Sequence, residues 1–214
     1  MEKFIDRKQA GILLAKALQR YAHNTNVIAL ALPRGGASVA FEIASALSIL
    51  LDVFIVRKLG VPWHKELAMG AISSGGGVFI NKTVIDELKI SASEIEDAIR
   101  DEKKELFRRE ALYRSNHAFP AIAGKIILLI DDGIATGSTM RAAVLALQQQ
   151  KPAQIIIAVP VVEKNTSNEL SKLVDKMVCL LTPEDFIAVG MWYESFPQTS
   201  DEEVCELLKR NTLS

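Results

Sequence analysis

The sequence predicts a doubly wound α/β domain on a mostly parallel sheet of five strands, with an inserted β-hairpin lid and a small carboxyl-terminal hood. Three observations lead there. Apolar runs at residues 27–32, 51–56, 126–130, 154–159 and 177–181 read as strands, and the one at 126–130 is the unbroken aliphatic stretch of a central strand covered on both faces. Helical segments separate these runs, and β-α-β succession implies parallel neighbours. Two of the runs also flow directly into short glycine-bearing turns that open helices, at 33–36 and 131–139. With 214 residues, 49% of them hydrophobic, the chain can bury one sizeable core plus a small appendage, and residues 1–214 read as one domain.

The elements follow in order. Residues 7–22 show helical apolar spacing through Leu14, Ala17, Leu18 and Tyr21, broken by Asn24-Thr25-Asn26. A strand at 27–32, a helix at 37–47 and a strand at 51–56 form a β-α-β unit. The stretch 57–81 is irregular, with strand-like pieces at 68–72 and 78–80 around Ser73-Ser74-Gly75-Gly76-Gly77, and reads as a hairpin. Ser91 and Glu94 form a capping box for a long charged helix to about residue 114. Its stripe of Ile95, Ile99, Leu106 and Tyr113 packs on the domain or on a second subunit, which makes a homodimer the expected assembly. After the strand at 126–130 come helices near 140–150 and 167–174, each followed by a strand. From residue 182 an aromatic cluster of Phe186, Trp192, Tyr193 and Phe196 leads to a last helix capped by Ser200 and Glu203.

Asp131-Asp132-Gly133-Ile134-Ala135-Thr136-Gly137-Ser138-Thr139 carries the chemistry. It sits where a buried strand turns into a helix, and the first helical turn offers unpaired N–H groups and a positive dipole end to an anion. Ala135, Thr136, Gly137, Ser138 and Thr139 would wrap a phosphate. Two carboxylates beside a phosphate repel it by several kcal/mol unless something intervenes. A sugar diol donates hydrogen bonds to carboxylates, and a divalent cation near it turns repulsion into attraction. A Walker loop is excluded, because Gly133 and Gly137 are too close and no Lys follows Gly137. The dinucleotide fingerprint is missing too, including at Gly35-Gly36.

The segment 126–139 resembles the signature of the type I phosphoribosyltransferases: an apolar strand, two acids, two variable residues and a Thr-Gly-x-Thr-like turn. The resemblance implies binding of 5-phosphoribosyl 1-pyrophosphate (PRPP), with Asp131 and Asp132 as catalytic acids at the ribose hydroxyls and residues 135–139 at the 5-phosphate. It implies Mg2+ as cofactor, held mainly by the substrate, with Asp131 and Asp132 as the protein's nearest oxygens and no direct metal ligand assigned. It also implies a pyrophosphate-binding loop at Arg34, Gly35 and Gly36, where two glycines allow close backbone approach and Arg34 adds a fork of donors. Arg57-Lys58-Leu59-Gly60 is similar to the Arg-Lys-x-Gly segment of adenine-type members. Arg57 is the favoured pyrophosphate ligand and Lys58 the second choice.

Residues 57–81 correspond to the family's mobile cover, which would exclude water as a competing nucleophile. His64, Lys65 and Glu66 lie in it and read as surface residues. Residues 182–214 form the hood, where Trp192 and Tyr193 could stack a base or could belong to the core. Hypoxanthine and guanine enzymes carry an acid before the Thr-Gly pair; here that place is Ala135, as in adenine-type relatives. The implied reaction transfers the phosphoribosyl group to a nitrogen acceptor, a nucleobase, releasing pyrophosphate. The competing reading is a non-catalytic sensor of PRPP or a nucleotide, and a third is a hydrolase using the acids as metal ligands.

A net charge of −1, with no basic run longer than Arg108-Arg109, gives no footprint for nucleic acid. No stretch is long enough for a membrane span and the amino terminus lacks a secretory core, so the expected location is the cytoplasm. Cys179 and Cys205 lack metal-ligand spacing and read as buried small hydrophobes. His23 and His117 fall in polar connections and are given no role.

Overall fold

The central sheet of the computed structural model, which describes residues 3–114 and 117–212, is ordered β2 (Leu50–Val53), β1 (Val27–Ala31), β6 (Ile126–Ile130), β7 (Gln154–Val161) and β8 (Lys176–Leu181). Every neighbouring pair is parallel. Side chains alternate between faces along each strand. Val27, Ala29, Ala31, Leu128 and Ile130 therefore join one core, and Ile28, Leu30, Ile127 and Leu129 the other. Helices α1 (Arg7–Ala17) and α2 (Gly35–Leu47) cover the first face, and α5 (Ser138–Gln148) and α6 (Lys164–Leu170) the second.

β1 and β6 are adjacent, yet their following helices depart to opposite faces. That is the switch point of an open α/β sheet, where the two loops diverge and leave a crevice at the carboxyl ends of the strands.

A second, antiparallel sheet comprises β3 (Val56–Val61), β4 (His64–Ser73) and β5 (Val78–Ile80). The expected hairpin is thus three-stranded, and the apolar run at 51–56 is divided between two sheets. Phe54 N–H still bonds Ala31 O at 2.8 Å, but Ile55 exchanges hydrogen bonds with Ser74, in the turn between β4 and β5 of the hairpin sheet. Arg57 and Lys58 consequently lie inside β3 and not at the end of a central strand.

After α3 (Lys82–Leu88), the capping box forms as expected: Ser91 N–H donates to Glu94 Oε2 at 2.9 Å and Glu94 N–H to Ser91 Oγ at 3.3 Å. α4 (Ala92–Arg114) turns its stripe inward, burying Leu106 and Tyr113 in the core that also holds Leu59, Val61, Met69 and Ile72 of the hairpin sheet, with Ile95 and Ile99 packed alongside. The stripe is therefore spent within the chain; Phe107 and Leu112 are the large apolar residues this helix leaves exposed. Arg114 ends α4 as a buried hub, bonding Asp52 of β2, Glu110, Val53 O and Ser74 Oγ, and so ties the two sheets together. The last helix, α7 (Asp201–Thr212), is capped where Glu203 N–H reaches Ser200 Oγ at 3.1 Å, and it packs on α2 and α4.

Candidate functional site

At the switch point the loops after β1 and β6 touch through two glycines. A Cβ on Gly35 would lie 2.0 Å from Asp132 Oδ2, and one on Gly36 would lie 2.8 Å from Ile130 O and 2.9 Å from Asp131 Cα. Neither position admits a side chain, so the sequence Gly35-Gly36 is what lets the start of α2 sit against both acids. The Pro33-Arg34 peptide bond in this loop is cis. Arg34 is exposed, its guanidinium 4.0 Å from Asp201 at the start of α7.

The acids differ in surroundings. Asp131 accepts from the Asp132 N–H at 2.8 Å. Desolvation, reinforced by the neighbouring Asp132 charge, holds the Asp131 carboxyl well above the ordinary carboxylate range. Asp132 Oδ2 is paired with Arg7 Nε at 2.7 Å, and its backbone carbonyl accepts from the Tyr193 hydroxyl at 2.5 Å. Arg7 was not among the residues the sequence pointed to; it opens α1, far from the motif in the chain.

Behind the acids, Gly137 has φ +69° and precedes the first turn of α5, and a Cβ there would meet Thr166 at 2.6 Å. Thr166 in turn donates to Ala135 O at 2.9 Å, fixing the turn from α6. The turn therefore presents Thr136, Ser138 and Thr139 with the open N–H groups of a helix start, an arrangement suited to an anion. Lys58 Nζ donates to Ser138 Oγ at 2.9 Å, which brings a cation from β3 to this turn. Arg57, the favoured cation of the sequence reading, points the other way and binds Glu102 of α4 at 2.6 Å. The reason is the strand itself, since consecutive residues face opposite sides.

In the hood, Tyr193 is enclosed between Phe4 and Phe196, with ring centroids 5.4 and 4.9 Å away. Burial pushes its phenol above the ordinary range. It belongs to the core and not to an open stacking platform. Trp192 packs on Phe186, and its indole N–H is buried without a hydrogen-bond partner among the described residues. Among the described residues no cluster of three or more His, Cys, Asp or Glu could hold a metal, and no helix is long and apolar enough to cross a membrane. Burial pushes the Cys179 thiol up to about 11, which makes it inert near neutral pH.

Residues 63–194 match the family model described as the phosphoribosyl transferase domain. A Mycobacterium tuberculosis (strain H37Rv) protein provisionally named phosphoribosyl transferase Rv0571c is 40% identical over 210 residues, 98% of this chain and 47% of that protein. The chain thus spans about half the length of the curated relatives it matches. The crystal structure of TT1426 from Thermus thermophilus is similar throughout, with a TM-score of 0.86 and 35% identity over 97% of this chain and 98% of that one. AQ2163 from Aquifex aeolicus shares the fold at a TM-score of 0.52 and 10% identity, covering 86% of this chain and 78% of that one.

Proposed function

The chain belongs to the phosphoribosyl transferase domain family, and from that premise we propose that it transfers the 5-phosphoribosyl group of PRPP to a nitrogen acceptor, a nucleobase, releasing pyrophosphate. One observation carries the reading: the glycine pair after β1 is packed directly on the acid pair after β6, so a ligand in the crevice meets a diol acceptor, a phosphate turn and a second anion loop at once.

In this reading the 5-phosphate sits on the turn at Ala135, Thr136, Gly137, Ser138 and Thr139, with Lys58 beside it. The ribose hydroxyls donate to Asp131 and Asp132. The backbone at Gly35 and Gly36, with Arg34, receives the pyrophosphate; Arg57 joins only by releasing Glu102. The C1–O bond to pyrophosphate breaks as the acceptor nitrogen bonds C1, and positive charge develops on the ribose ring. Carboxylates below the ring stabilise that charge, and the departing anion is met by fixed donors. The acceptor's proton leaves to solvent or to the pyrophosphate, since Ala135 supplies no acid or base. The acid pair offers hard oxygen donors of the kind Mg2+ prefers, but too few for a protein cage, so an ion there would be held chiefly by the donor's oxygens. Bound so, Mg2+ would neutralise the pyrophosphate as it leaves. Trp192, partly exposed where Tyr193 is enclosed, is the hood aromatic left for stacking a base. A cytoplasmic setting and a homodimer complete the reading.

The test is pyrophosphate release from labelled PRPP with Mg2+ across a panel of purine and pyrimidine bases. Base-dependent release, abolished in Asp131→Asn with Asp132→Asn, supports the transferase. Donor binding without turnover on any base would favour a sensor, and base-independent consumption a hydrolase.

A further inference from the structure

Asp132 is held by a clasp whose guanidinium, that of Arg7, and two of whose supports, Phe196 and Pro197, lie outside residues 63–194, the part of the chain that matches the family model. Arg7 Nε donates to Asp132 Oδ2 at 2.7 Å, Arg7 Nη1 donates to Pro197 O at 2.6 Å, and the guanidinium lies 3.7 Å from the Phe196 ring centroid. The side chains of Arg7 and Asp132 are only 11% and 13% exposed. The segments carrying these groups are themselves joined: Phe4 N–H bonds Trp192 O at 2.8 Å, and Glu194 and Ser195 N–H bond the carbonyls of Phe4 and Ile5 at 2.8 and 2.9 Å. Tyr193, from the same ribbon, holds the Asp132 carbonyl.

Two of the three Arg7 contacts are to the hood and do not involve Asp132, so the guanidinium has its place whether or not a ligand is bound. That separates it from a plug that a substrate would expel. The pair also uses one carboxylate oxygen and leaves the other. With Gly35 packed against Oδ2, the side chain has no room to rotate toward α2. We propose that Arg7 is a positioning residue for the diol: it locks Asp132 in one orientation, with Oδ2 engaged and Oδ1 presented to the 2-hydroxyl of the ribose. This rests on the donor-site reading above. It adds that the amino-terminal helix and the hood, through a residue that touches no substrate, set the site's preference for ribose over deoxyribose.

Binding of ribose 5-phosphate and of 2-deoxyribose 5-phosphate to the full chain, measured by calorimetry, tests it without an acceptor. The two ligands share the phosphate anchor and differ by one hydroxyl. The wild-type chain is expected to prefer ribose 5-phosphate by about tenfold or more, the scale of one hydrogen bond to a charged group. Arg7→Met keeps the stem on Phe196 and should bring the preference to within about twofold of unity, with deoxyribose 5-phosphate affinity nearly unchanged. Arg7→Lys, which retains the charge, should restore part of the preference. Equal weakening of both ligands in Arg7→Met would mean a structural role only and would overturn the proposal, as would an unaltered preference. The proposal falls alone in those cases. Should the wild-type chain bind both sugars equally, or neither, the diol assignment itself fails and takes the proposal with it.

Discussion

Gly35→Ala tests the contact on which the site depends. The new Cβ would lie 2.0 Å from Asp132 Oδ2 and 2.6 Å from Cγ, where ordinary contacts begin at 3.4 Å, so the carboxylate must retreat by more than an ångström. It is short, and its end is tied to Arg7 at 2.7 Å, so retreat breaks that pair. Overpacking and loss of a charge-assisted hydrogen bond together cost about 2–4 kcal/mol. In a domain of this size that is a melting temperature lower by roughly 5–15 °C. The carboxylate would also leave the diol, weakening PRPP binding by roughly 10- to 100-fold if one hydrogen bond to a charged group is lost. Gly124→Ala is the control: Gly124 has φ +72° and nothing within 4 Å, so it carries a backbone cost of about 1–2 kcal/mol and no effect on the donor. Scanning calorimetry and donor titration read both quantities. A Gly35→Ala chain that melts and binds PRPP like the wild type would refute the packing argument.

Lys58→Met should weaken PRPP binding by about 1–2 kcal/mol, because its ammonium stands at the phosphate turn. Arg57→Met should leave PRPP binding within about twofold of the wild type, because its guanidinium is turned to Glu102 and away from the phosphate turn; a reversed order in donor titration would count against the strand geometry. Arg114→Met removes the cation from a buried network and should destabilise by about 3–5 kcal/mol in urea unfolding; a loss below about 1 kcal/mol would contradict its role as the tie between sheets. Asp131 binds its proton more tightly folded than unfolded, so the stability linked to it is complete below the ordinary carboxylate pKa and declines as pH rises through the raised one. Asp131→Asn should therefore gain stability relative to the wild type as pH rises above the ordinary carboxylate pKa, and parallel pH profiles of the two chains would exclude the shift.

Much of this was legible locally. The strand at 126–130 has the bounds its sequence implies because an unbroken aliphatic run suits a strand covered on both faces, and the capping box at Ser91 and Glu94 sets the start of α4. The run Leu51-Asp52-Val53-Phe54-Ile55-Val56 misleads because it holds no Gly, Pro or Asn where the chain leaves the central sheet; the change of sheet comes through backbone partners, Ala31 and then Ser74, that only folding supplies. Recognising β3 as a strand would also have separated Arg57 from Lys58, since alternation alone puts them on opposite faces. No local pattern could have found Arg7, whose partner lies 125 residues away. Three aromatics near a chain end fit a core or a platform equally well, and the enclosure of Tyr193 by Phe4 depended on the amino-terminal ribbon.

A crystal structure of the chain with PRPP and Mg2+ bears most directly on the whole account. It is expected to show the 5-phosphate hydrogen-bonded to the N–H groups of residues 137–139, the ribose hydroxyls on Asp131 and Asp132, and the pyrophosphate against Gly35 and Gly36. Density for the donor outside this crevice, or inside it with the hydroxyls turned from both acids, would contradict it.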